Sequence, residues 1–218
     1  MIRLENLSKS FYFRGERKVV ADNLNLEFPA GISVGLLGRN GAGKSTLLRM
    51  IAGSIYPDAG RIRTKGTISW PIGLAGSFHV DLSGAQNTRF LARVYGVDTD
   101  ELLDFVAGFA ELGIHFQQPV RTYSSGMRAR LAFGIAMGMR FDTYLVDEVT
   151  SVGDASFRVK SEAVFLERMG KSGAIVVTHA PPMMRRMCQA GAVLENGQLT
   201  YFEDVNEAIR YSNQTMLG

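Results

Sequence analysis

The apolar run Ile32-Ser33-Val34-Gly35-Leu36-Leu37 leads straight into Gly38-Arg39-Asn40-Gly41-Ala42-Gly43-Lys44-Ser45. No other stretch limits the fold so tightly. A nearly continuous apolar run of this length, ending in glycines, reads as a buried strand. Lys44 to Ala52 reads as a helix, with Leu47, Leu48 and Ile51 on one stripe and Gly53 as the stop. Strand, G-x-x-x-x-G-K-S and helix together make a phosphate-binding loop. Glycines let backbone N–H groups reach phosphate oxygens and adopt unusual dihedrals. The helix start adds the positive end of its dipole. Lys44 would act as a point charge for β- and γ-phosphates, and the Ser45 hydroxyl could ligate Mg²⁺. The candidate nucleotide-binding residues here are Gly38, Asn40, Gly41, Ala42, Gly43, Lys44, Ser45 and Thr46.

The rest of the chain supports an α/β core. IRLENLS and NLNLEFP read as short strands, and RIRTKGTISWPI as two strands around a turn at Lys65-Gly66. Residues 84–139 are mostly helical by period, with Leu102, Leu103, Val106, Phe109 and Ala110 on one stripe and Pro119 as an interruption. Strand character returns in TYLVDE and GAIVVTH, and Asn196-Gly197 marks a hairpin. An amphipathic helix is expected from about residue 203. Strands alternating with helices imply a three-layer α/β fold, with residues about 80–140 as a helical insert in one domain spanning 1–218.

Composition narrows the partners. With 46% hydrophobic and 21% charged residues among 218, the chain is neither disordered nor collagen-like. A net charge of +3, with arginines scattered along the chain, gives no reason to expect nucleic acid. The single cysteine, Cys188, fits a reducing compartment and reads as a small apolar residue on a helix. The start, MIRLENLSKSF, lacks the long apolar core of a signal peptide. The longest weakly interrupted apolar run, LAFGIAMGM, falls far short of the roughly 20 residues that span a bilayer.

Tyr144-Leu145-Val146-Asp147-Glu148 reads as a buried strand ending in two acids. In open α/β sheets ligands sit at the carboxyl ends of strands. Asp147 would hold Mg²⁺ directly or through water. Glu148, on the opposite face of the strand, could polarise an attacking water. Further back, Ser124, Ser125 and Gly126 open a helix running through RARLAFGIAM. Hydroxyls and free N–H groups there could bind an anion, or Ser124 could be a plain N-cap.

Tyr123-Ser124-Ser125-Gly126-Met127, with the phosphate loop before it and the acid pair after it, resembles the signature of the ABC-type ATPases. The resemblance extends from about residue 2 to 210. It implies a P-loop NTPase with an ABC-type core, an antiparallel β subdomain and a helical signature subdomain. It implies that Ser124, Ser125 and Gly126 of one copy meet the γ-phosphate held by another, in a homodimer around two Mg-ATP. Asp154, in Ser151-Val152-Gly153-Asp154, matches the aspartate of the loop after the carboxylates. His179, after GAIVVT, matches the switch histidine that touches the γ-phosphate. Phe11 matches the aromatic that stacks on adenine, with Tyr12 and Phe13 as adjacent rivals.

Three departures stand out. Ser125 and Met127 replace a Gly and a Gln of the general signature. Residues 71–82 contain no glutamine where the family carries one; His79 or a backbone group would have to stand in. SWPIGL, LSGAQNTRFLARVYG and YSSGM look like the subgroup exporting bacterial capsular polysaccharide. The chain stops at residue 218 without the carbohydrate-binding domain that some O-antigen exporters append. The resemblance thus implies an ATPase on the cytoplasmic face of the inner membrane. It would be docked on a membrane permease dimer through residues 71–90, with Phe78, Leu82, Phe90 and Leu91 offering apolar surface, and would reach periplasmic export components through that permease. O-antigen or teichoic-acid export, and a soluble ABC-type factor unconnected with transport, are the alternatives.

Overall fold

A computed structural model describes residues 1–72, 78–147, 155–178 and 180–217, with backbone alone at 155, 216 and 217. The chain forms two compact units, one of residues 1–71, 141–148 and 169–218, the other of residues 72–140 and 149–168.

The first unit holds two sheets. In the smaller, β1 (Ile2–Phe13) lies between β2 (Glu16–Phe28) and β4 (Ala59–Thr64), antiparallel to both. The larger has six strands. Its order is β5 (Ile68–Ile72), β6 (Thr143–Asp147), β7 (Gly173–Val177), β3 (Ser33–Leu37), β8 (Ala190–Glu195) and β9 (Gln198–Phe202). β6, β7, β3 and β8 run parallel, and β9 folds back antiparallel on β8. The apolar run before the phosphate loop is therefore a central strand, and its apolar residues suit a strand buried on both faces of the sheet. After it comes α1 (Lys44–Ile51), whose Leu47 and Leu48 are fully buried. They join one apolar core with Ile2, Leu4, Leu24 and Phe28 of the small sheet and Leu36, Leu145 and Ile175 of the large one.

Lys65-Gly66 does not turn a hairpin. β4 and β5 belong to different sheets, and the turn carries the chain from one to the other. Asp142 fixes that passage. Its carboxylate accepts the Thr67 N–H at 2.7 Å and the Thr67 hydroxyl at 2.9 Å, which holds the carboxyl below its usual range. One element is seen only through Cys188, which the sequence reading places on a helix. The short helix α6 (Pro181–Met187) precedes α7 (Val205–Leu217), and Cys188 caps its end rather than lying within it. Burial pushes the Cys188 thiol up to about 12, which keeps it protonated and inert.

The second unit is helical: α2 (Gly84–Tyr95), α3 (Thr99–Ala110), two short 3-10 turns, α4 (Ser125–Gly138) and α5 (Ala155–Met169). Leu102, Val106, Phe109 and Ala110 of the expected stripe are buried, while Leu103 is half-buried. Phe109 stacks on Phe105 and Phe133 and meets Phe157 edge-on. α3 carries no basic residue in its last turn, and α5 supplies one. Lys160 Nζ donates to the Gly108 and Phe109 carbonyls at 3.3 and 3.1 Å and pairs with Glu111 at 2.6 Å. These are the unsatisfied carbonyls and negative dipole end of a helix terminus. Lys160→Met is expected to cost about 1 kcal/mol, a fall in Tm of about 2–4 °C in a thermal melt.

Candidate functional site

At the loop after β3, Gly43 has φ 109° and precedes the first residue of α1, and any Cβ there would run into the Val20 side chain. Both the left-handed backbone and the close approach of β2 demand glycine. Lys44 is buried, 8% exposed, and its Nζ donates to the carbonyls of Gly38 at 2.8 Å and Arg39 at 3.0 Å. The ammonium is thus lashed to the loop it must serve. The Ser45 hydroxyl donates to Asp147 Oδ1 at 3.1 Å, joining the start of α1 to the end of β6.

That pair suits a small hard cation. Adjacent oxygens around an octahedral Mg²⁺ at 2.0–2.1 Å stand about 2.9–3.0 Å apart. Among the described residues no group of three or more His, Cys, Asp or Glu could hold a metal by itself. A protein contribution of one or two oxygens, completed by water and phosphate, is how Mg²⁺ binds in phosphate sites.

The β1–β2 hairpin forms the other wall. Arg14 and Gly15 take φ 50° and 85°, the two-residue turn that suits the twist of a hairpin. Its register pairs Phe11 with Lys18, Tyr12 with Arg17 and Phe13 with Glu16. Asp58 pins β1 just before Phe11. It accepts from Lys9 Nζ and from the Ser10 N–H, both at 2.7 Å, and these bonds hold its carboxyl below its usual range, Lys9 first. The Lys9 ammonium lies 5.3 Å from the Phe11 ring centroid. Phe11 is 41% exposed, against 74% and 71% for Tyr12 and Phe13.

A cleft of about 320 Å³ gathers Phe11, Asn40, Gly41, Gly43, Lys44, Ser45 and Thr46. Neither Tyr12 nor Phe13 lines it. Lys18, Val20 and Val177 do, and sequence reasoning missed all three. The hairpin register would have found Lys18, since a partner opposite Phe11 shares its face. A second cleft of about 410 Å³ adjoins the loop, lined by Arg17, Lys18, Arg39, Ala42 and the β8–β9 turn at Asn196-Gly197. Gly38 contributes its carbonyl to Lys44. Glu148, Asp154 and His179 lie outside the described residues.

Ser124, Ser125 and Gly126 stand in the helical unit, at the start of α4. Ser124 is an N-cap in fact, its Oγ accepting the Met127 N–H at 3.2 Å. Ser124 and Ser125 are exposed, and a Cβ on Gly126 would meet nothing nearer than Ser124 Oγ at 3.9 Å. Capping and an open helix start thus coexist. His79 is also exposed, its backbone N–H and carbonyl held by the Asn87 amide at 2.9 and 3.1 Å. Of the expected docking residues, Phe90 is 60% exposed, Phe78 and Leu82 are half-buried, and Leu91 belongs to the core. Val80, Val94 and Tyr95 add exposed apolar surface that the sequence reading did not name. No described helix is long and apolar enough to cross a membrane.

Comparisons with known proteins agree with this geometry. Residues 21–151 match the ABC transporter family. The chain is 48% identical to the polysialic acid transport ATP-binding protein KpsT of Escherichia coli, over 96% of this chain and 95% of that one. It is 41% identical to the capsule polysaccharide export ATP-binding protein CtrD of Neisseria meningitidis serogroup B, over 98% and 99%. The fold matches a dimeric ATP-binding cassette in a post-hydrolysis state with ADP and phosphate. The TM-score is 0.77 at 20% identity, covering 93% of this chain and 98% of that one. A glycine loop holding its own lysine, a serine bonded to a strand-end aspartate and a capped serine helix start thus belong to a member of the ABC transporter family, on the ATP-binding side.

Proposed function

We propose that this chain is the ATP-hydrolysing motor subunit of a bacterial exporter of capsular polysaccharide. The observation that carries the ATPase reading is the Ser45–Asp147 hydrogen bond beside a buried, loop-bound Lys44. The names of relatives at 41–48% identity support the cargo. In this reading Lys44 holds the β- and γ-phosphates, and the N–H groups of residues 41–46 bind their oxygens. Ser45 and Asp147 would hold Mg²⁺, which when bound neutralises charge on the β- and γ-phosphates. Glu148 orients the attacking water, and His179 touches the γ-phosphate. Ser124, Ser125 and Gly126 of a second copy close over it, with Asp154 near the shared boundary. The subunit works on the cytoplasmic face of the inner membrane. It is held there by a permease dimer, and through that dimer it reaches periplasmic components. The exposed apolar side chains of α2, Phe90 and Val94, suit a short amphipathic helix of that permease.

Phe11 stacks on the base without reading its edge. An aromatic face is worth about 1–3 kcal/mol per base and tolerates any base. Phe11→Ala is therefore expected to raise the Kd of ATP and GTP alike by about five- to a hundredfold. Tyr12→Ala and Phe13→Ala should leave both affinities unchanged.

The cargo is tested in the producing bacterium. Deleting the gene should leave polymer inside the cell while its synthesis continues. The wild-type gene should restore the surface layer, and Glu148→Gln should not. Normal surface polymer in the deletion strain, with no second copy of the gene, would mean a different cargo.

A further inference from the structure

We propose that Lys18 is a second phosphate-binding cation of the nucleotide site, delivered to the loop by the same hairpin that carries Phe11. This rests on the reading of the 320 Å³ cleft as the nucleotide site.

Three observations support it. Lys18 lines that cleft, directly across the ladder from Phe11. Directly opposed residues of an antiparallel pair share a face, so one rigid ribbon presents an aromatic ring and an ammonium to the same cleft. The ammonium also has a fixed neighbour: a Cβ on Gly41 would lie 3.3 Å from Lys18 Nζ. Lys44 grips the opening of the loop through the carbonyls of Gly38 and Arg39, so the two ammonium groups attend different parts of it. Finally, the Lys18 ammonium forms no hydrogen bond or ion pair with another described residue. Lys9 is paired with Asp58, and Lys160 with Glu111. An exposed cation beside a glycine-rich phosphate-binding loop has one natural counterion, the polyphosphate chain.

The chemistry predicts a contribution of moderate size. Lys18 is exposed, so its attraction to phosphate acts largely through water and is screened by salt. It would hold substrate and product alike, since ADP keeps most of the charge. It also lines the second cleft with Arg17 and Arg39, but Arg17 Nε is tied to Ser10 Oγ at 3.3 Å.

Calorimetric titration of ATP and ADP without Mg²⁺, at 50 and 300 mM NaCl, tests this on the whole chain. Lys18→Gln is expected to raise both Kd values about fivefold at low salt and less than twofold at high salt. Lys18→Arg should restore them, and thermal melts of the variants should match wild type. Unchanged affinity of Lys18→Gln at both salts would overturn the proposal, and would point to the second cleft or to a merely solvated lysine. An equal loss at both salts that Lys18→Arg fails to restore would overturn it in favour of hairpin packing. Lys44→Ala serves as the control. If it weakens binding strongly while Lys18→Gln does not weaken it, Lys18 alone is misassigned. If wild type binds neither nucleotide, the reading of the cleft falls and the proposal with it.

Discussion

Lys44→Ala is expected to weaken ATP binding about a hundredfold and to lower turnover chiefly for that reason. Charge-assisted hydrogen bonds are worth about 1.5–3 kcal/mol, and a hundredfold in Kd lies within that range. The cost is concentrated in the ground state because the phosphates are charged before any chemistry begins. Two features of the site push it toward the upper end. The ammonium is buried, so water does not screen it. It also already sits on the Gly38 and Arg39 carbonyls, so little ordering remains to be done when the phosphates arrive. Removing it leaves two loop carbonyls without their donor, which loosens the loop that carries the N–H groups. Equilibrium titration of the variant with ATP checks this. A Kd within threefold of wild type would show that the loop, and not its lysine, holds the phosphates.

Glu148→Gln should have the opposite profile: ATP binding intact, hydrolysis reduced by about two to four orders of magnitude. Asp147, which precedes it in the sequence and ends β6, bonds to Ser45. Successive strand residues alternate faces, and the proposed role gives Glu148 the water instead of the cation. An amide of the same shape keeps the packing and loses the base. Once hydrolysis stops, ATP stays in place, and the exposed Ser124 and Ser125 of a second copy have a γ-phosphate to meet. The variant is therefore expected to be a dimer with ATP and a monomer with ADP in light scattering, with phosphate release near background. Full-rate hydrolysis would remove Glu148 from the chemistry. A monomer in saturating ATP would count against the shared site.

The elements legible in the sequence were those whose environment is local. The run 32–37 announces β3 because a strand buried on both faces needs apolar residues on both. The helix after it shows its stripe, and Asn196-Gly197 its turn, with φ 47° and 76°. The far end of the β1–β2 ribbon was not legible. Past Leu7 on β1 and Val20 on β2 its side chains leave the core, so Lys9, Ser10, Arg17 and Lys18 carry no alternating pattern to betray a strand. Missing that ribbon hid the partner of Phe11. Lys65-Gly66 marks the break between β4 and β5 as read, but not that they join different sheets; Asp142, 75 residues past Thr67, holds the chain in that passage. Within the site, the loop residues and Asp147 could be named because their chemistry dictates the residue type. Val20 and Val177 line the cleft by shape alone, and shape has no local signature.

The central strand has a consequence for how the protein is made. β3 is bonded to β7, through Ser33 and Ala174, and to β8, through Val34 and Ala190. Neither neighbour exists when β3 leaves the ribosome. At roughly 5–20 residues per second, the strand waits on the order of ten seconds for its partners. Its adjoining loop has no scaffold during that time. An emerging chain would therefore acquire its grip on nucleotide abruptly, once β8 is out, and ATP would act as a late lock on a nearly finished fold rather than as a guide to it.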